Sequence, residues 1–241
     1  MLAAFHAEIL KLRRSLALLL CAAAPFMVAL LAGAMLMNRD DPAPWAMFQV
    51  NCAALWSFFM LPMTVTALTV LVAQLEHGPR FWNHLLALPV PRWRLYAAKA
   101  AVVILLVAAM MTALWLLVPA AGYAAEALAP GTQLTGAPDL AASARLLATM
   151  FAGSVLLIAI QLWAALHFKS FVPPLVLGIG GTFASVVAAG ARQGAYFPWM
   201  IPTNALAADP ALASRAIAVG CAGGLVLLLV MLAAMSRREM V

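Results

Sequence analysis

EHGPRFWNHLLALPVPRWRLYAAK, residues 76–99, separates two uninterrupted apolar runs at residues 55–75 and 100–122. Each run has the length of about 20 residues at which an α-helix crosses the ~30 Å hydrocarbon core of a bilayer. The insert between them is too polar to sit in lipid and too rich in Trp, Leu and Arg for a slack linker. It reads as a membrane-surface element built to touch something, hung between two membrane helices.

Working outward, four more runs follow the same pattern, at residues 16–37, 146–166, 171–191 and 216–235. Apolar residues make up 66% of the 241 and charged residues only 9%, far below the roughly one quarter charged that a water-soluble globule carries. The runs are long, continuous and rich in Leu, Ala and Met, whereas barrel strands alternate over about ten residues. The expectation is an all-α polytopic membrane protein, a single domain over residues 1–241 with six transmembrane helices.

Charge sets the expected orientation, because the cytoplasmic side keeps the Lys and Arg excess. With the amino terminus inside, the inner segments hold Lys11, Arg13, Arg14, Arg80, Arg92, Arg94, Lys99, Lys169, Arg237 and Arg238. The outer segments hold only Arg39, Arg145, Arg192 and Arg215. Both termini are therefore expected in the cytoplasm of a bacterial cell, with the chain in its inner membrane. The net charge of +6 is then a topology signal, and nucleic acid is not an expected partner. Lys11 to Arg14 before a Leu-rich stretch also suit a signal peptide, but the run is too long and Pro25 and Phe26 interrupt any small-residue cleavage site.

Residues 2–14 put Leu2, Phe5, Ile9 and Leu12 on one helical face and Glu8, Lys11 and Arg14 largely elsewhere. This predicts an amphipathic helix lying in the cytoplasmic interface, with an extension of the first span as the alternative. Outer loops are expected at about residues 38–51 and 124–145. His167, Phe168, Lys169 and Ser170 leave room only for a tight hairpin, and Pro173 and Pro174 suit the first turn of the next helix. Residues 192–215, broken by Pro198, Pro202 and Pro210, predict a pair of short re-entrant or interfacial helices with Tyr196, Phe197 and Trp199 at headgroup depth. Pro25 and Pro62 are expected to kink the first two spans.

The chain has no Gly-rich phosphate loop ending in Lys and Ser or Thr, no HExxH and no nucleophile elbow, so catalysis by this chain alone is not expected. His77 and His84 lack acidic company for a metal, and Cys21, Cys52 and Cys221 read as small apolar packing residues. No cofactor, metal or catalytic residue is assigned. The spans hold essentially no charge, which argues against a proton-coupled carrier. Thr64, Gln74 and Gln161 are the polar groups able to line a path, with interhelical hydrogen bonding the preferred role for the glutamines. Gly178, Gly180, Gly181, Gly220, Gly223 and Gly224 read as close-packing positions.

Glu76, Trp82, Leu85, Leu86, Leu88, Pro89, Val90, Arg92 and Lys99 together resemble the ABC-2 permease family of ATP-binding-cassette exporters. The resemblance extends to the six spans, the amino-terminal helix with Glu8, Lys11 and Leu12, and the broken outer segment. Size and loop look closest to small permeases of lantibiotic-immunity and bacitracin-resistance exporters. Gly78 and Pro79 depart from the family's usual turn, which moves the start of the expected coupling helix to about Arg80.

The resemblance implies that Arg80, Trp82, Leu85, Leu86, Pro89 and Arg92 contact a separate ATPase, with His167 and Lys169 as a second contact. It implies ATP and Mg on that ATPase, and a second permease copy or a paralogous permease. The pathway would lie where the two permeases meet, lined by the first, second and fifth spans, for export of an amphiphilic substrate such as a peptide antibiotic, drug or lipid-like molecule. The competing readings are a membrane assembly or sensor subunit without transport, and an ion-coupled secondary carrier.

Overall fold

The structure is a computed structural model that describes residues 2–13, 15–39, 41–75, 91–129, 134–191, 193–207 and 209–237. Its helices are α1 (Leu2–Leu12), α2 (Leu16–Met37), α3 (Trp45–Gln74), α4 (Arg92–Leu128), α5 (Leu140–His167), α6 (Val172–Ala188) and α7 (Pro210–Ser236). Five of them, α2, α3, α4, α5 and α7, are long and apolar enough to cross a membrane. The fifth apolar run, at residues 171–191, forms α6, which at 17 residues rises about 25 Å, slightly less than the hydrocarbon thickness.

The helices overrun the apolar stretches that announce them. The second begins at Trp45 rather than residue 55, and the third reaches from Arg92 to Leu128, straight through Pro119. Polar and aromatic residues therefore continue the helices beyond the purely apolar core and shorten both outer loops. Those loops meet in a two-residue parallel pairing of β1 (Ala43–Pro44) with β2 (Leu134–Thr135). The amide of Leu134 also donates to Glu126 Oε1 at 3.0 Å. Asp139 caps α5 by accepting from the amide of Ala142 at 2.8 Å, satisfying one of the donors a helix start leaves open.

Proline acts differently at its two expected kinks. Pro25 lies within an α2 that continues to Met37. Ahead of Pro62, residues Trp56–Met60 widen into a π turn in which the Leu61 amide bonds to Trp56 O. The missing Pro62 donor is accommodated there by re-spacing the ladder.

Helix α5 is the centre of the bundle, packing on α3, α4, α6 and α7, with Met150, Leu157, Ile158 and Leu162 fully enclosed. Between α6 and α7 the structure has two short 3₁₀ segments, Gly194–Tyr196 and Ile201–Leu206. Asn204 ties them together by donating to Ala195 O at 2.7 Å. The expected stretch of surface helices ends at residue 209, because Asp209 accepts from the Ala211 amide at 2.9 Å and caps a last helix that starts at Pro210. Trp199, expected at headgroup depth, is buried against Gly181 and stacked on Phe197, while Tyr196 is exposed.

Candidate functional site

Lys99 stands two turns inside α4 and is fully enclosed. A lysine there requires a carboxylate, since burying an unpaired ammonium in an apolar bundle is prohibitively unfavourable. Glu8 of α1 supplies it. Lys99 Nζ donates to Glu8 Oε2 at 2.8 Å, and Lys11 Nζ donates to Glu8 Oε1 at 2.5 Å. Both oxygens of one buried carboxylate are thus engaged by ammonium groups from two helices.

The face of α1 turned to the bundle carries Glu8 and Leu12, with Phe5 and Lys11 partly buried, while Ile9 and Leu10 are exposed. Ser15 between α1 and α2 is extended, at φ −88° and ψ 155°, so α1 is a separate helix rather than an extension of the first span.

Burial by itself pushes the Glu8 carboxyl up. The Lys99 charge, hydrogen bonds from Lys11 and Lys99, and the Lys11 charge outweigh it and hold Glu8 below its ordinary 4.5. The pair therefore holds α1 against the base of α4 as an ionised contact. Removing Glu8 takes the carboxylate from a fully enclosed lysine, the costlier half of the pair to lose, whereas without Lys99 the carboxylate keeps its bond from Lys11.

The base of α4 also carries Pro91 at its cap position, Arg92 at its first turn, and the Arg94 guanidinium 5.5 Å from the centre of the Trp93 ring. Tyr96, one turn before Lys99, is buried. At the α5–α6 link the His167 and Phe168 rings meet edge to face at 5.0 Å. Phe168 and Phe171 are exposed, and Ser170 Oγ accepts from the Val172 amide at 3.3 Å. By the alternation of the helices this link shares its end of the bundle with α1 and the start of α4.

Of the residues singled out from the sequence, Glu76, Arg80, Trp82, Leu85, Leu86, Leu88, Pro89 and Val90 lie outside the described residues. Arg92, His167 and Lys169 fall at the same end of the bundle. Glu8, Lys11 and Lys99 are brought into one cluster, which the sequence reading did not foresee. The signal was available: Phe5, Glu8 and Leu12 are spaced i, i+3 and i+7 and share a face.

The polar residues of the spans are placed as follows. Thr64 is buried and donates to its own helix, to Met60 O at 2.7 Å and Leu61 O at 3.0 Å. Gln74 is half-buried in the last turn of α3. Gln161 is fully enclosed in α5, and its amide reaches α6.

Fold and site together define a multi-pass helical membrane protein with an ion-paired amino-terminal helix docked on its third long helix. Residues 4–185 match the ABC-2 family transporter protein model, about three quarters of the sequence. The chain belongs to that family of membrane transport components. No curated protein and no solved structure matches it.

Proposed function

We propose that this chain is the membrane-spanning permease subunit of an ATP-binding-cassette exporter of the bacterial cytoplasmic membrane, with both termini in the cytoplasm. A separate ATPase binds and hydrolyses ATP with Mg, and a second permease, identical or paralogous, completes the assembly. Residues 80–88 serve as the coupling helix, offering Trp82, Leu85 and Leu86 to an apolar groove of the ATPase, with Arg92 as a charged flank and His167 to Ser170 as a second contact. The substrate is an amphiphile moved along the junction of the two permeases, beside α2, α3 and α6.

One observation carries this reading: Glu8 ties α1 to Lys99, eight residues after the described chain resumes at position 91. A displacement of the coupling segment is in this way delivered to α4 and α1 together rather than lost in a loose surface helix. The family assignment supports it, since the match at residues 4–185 includes the whole coupling segment.

Purification of this chain from its native membrane with any nucleotide-binding subunit that associates, followed by ATPase assay in liposomes, is the test. Trp82→Asp and Leu86→Asp are expected to abolish substrate-stimulated hydrolysis while the permease still folds. Full stimulation in both variants, or no nucleotide-binding subunit in the purified complex, would overturn the proposal.

A further inference from the structure

Gln161 of α5 points at one particular turn of α6. With its amide set so that nitrogen meets an acceptor and oxygen a donor, Nε2 donates to Pro174 O at 3.2 Å and Oε1 accepts from the Gly178 amide at 3.1 Å. In a regular helix these two backbone groups are each other's partners, i and i+4. A side chain from a neighbouring helix thus addresses both ends of a single helical hydrogen bond.

We infer that α6 is a hinged helix that bends at the Pro174–Gly178 turn, with the Gln161 amide as the swivel that keeps both backbone groups paired as the turn opens. Membrane helices ordinarily resist such opening because an orphaned N–H or C=O costs several kcal/mol in lipid. Here neither group is orphaned.

The rest of α6 is built consistently with this. Pro173 and Pro174 remove two amide donors from its first turn. Thr182 Oγ1 donates back to Gly178 O at 2.8 Å, and Ser185 Oγ to Thr182 O at 2.6 Å, a type of back-bonding that bends helices. The part beyond the hinge is held where the Trp199 indole lies on Gly181, and Thr66 of α3 lies against Gly178 at the end of the hinge turn. The part before it carries the link from His167 to Phe171, so the lower turn swings against a fixed upper segment. If the permease reading above holds, a push on that link is absorbed at Gly178 instead of shifting all of α6.

The hinge itself is tested on the chain alone in lipid nanodiscs, independently of any ATPase. Spin labels replace exposed Phe171 and Val187 at the two ends of α6 in a background with Cys21, Cys52 and Cys221 changed to Ala. A control pair replaces Ala101 and Leu116, both exposed on α4 before Pro119. Electron-electron dipolar spectroscopy is expected to give a distance distribution for α6 at least twice as wide as for α4. Gln161→Leu, or Gln161→Met if the first variant fails to fold, should narrow it to the control width, because Pro174 O and the Gly178 amide then have only each other. A wild-type α6 distribution as narrow as the control, or a broad one that either Gln161 variant leaves unchanged, overturns the inference.

Discussion

The Thr66 side chain of α3 occupies the space in which a Cβ on Gly178 of α6 would stand. Two residues on, Gly180 has nothing within 4 Å of the same position. Gly178→Ala should therefore destabilise the bundle by about 1–3 kcal/mol, the usual range for overpacking. Gly180→Ala should stay within about 0.5 kcal/mol of wild type. Thermal unfolding in detergent separates them, and Thr66→Ala should restore only part of what Gly178→Ala loses, because the Cβ it keeps would still lie 2.6 Å from the new methyl.

A harsher outcome is expected at the crossing of α5 and α7. A Cβ on Gly220 would meet the Cα and carbonyl oxygen of Gly153, each 2.5 Å away. Both are backbone atoms, which no compensating truncation can remove. Gly220→Ala should lower the melting temperature more than Gly178→Ala does. An equal or smaller loss, measured by the same unfolding assay, would contradict the close crossing.

The Glu8 and Lys99 pair should show strong coupling. Glu8→Leu is expected to cost about 3–5 kcal/mol, since it takes the carboxylate from the buried Lys99, and Lys99→Met less, since Lys11 still pairs with Glu8. The double variant should cost less than the sum by at least about 1 kcal/mol, the mark of groups in direct contact. Limited proteolysis near Arg13, together with melting temperatures of all four proteins, completes the cycle.

Acid should release α1. Glu8 titrates lower in the folded chain than its ordinary 4.5, so its stabilising contribution is fully present above that value and is lost as pH falls through the folded value. Melting temperature should fall on acidification from pH 5 towards pH 3, and Glu8→Gln should remove that part of the slope. An unchanged slope in the variant would detach the effect from Glu8.

Long apolar runs made the helical membrane class legible, because in lipid the backbone has few other ways to satisfy itself. Helix ends were less legible: Trp45 to Leu55 and Gly122 to Leu128 are helical yet contain Gln49, Asn51 and Glu126, and hydropathy alone stops short of them. The π turn ahead of Pro62 was announced only as a kink, since sequence shows the missing donor but not how the ladder re-spaces. Glu8 escaped because amphipathic reasoning assigns every charge to the outside, and its partner is 91 positions away. Trp199 escaped for a similar reason, as its indole is seated by Gly181, which lies on a different helix.

Helix α4 has 37 residues and measures about 55 Å, nearly twice the hydrocarbon thickness. Its lower tip is pinned to Glu8 through Lys99, and near its upper tip Gly122 supports the Trp45 indole while Glu126 holds the amide of Leu134. As a rod, it turns any lean into opposite displacements at its two ends. Leaning it by about 10° around its midpoint carries each tip roughly 5 Å, in opposite directions. A fluorophore at Thr135, on the strand beside Pro44, would act as the needle of a gauge, registering across the membrane a movement made at Lys99.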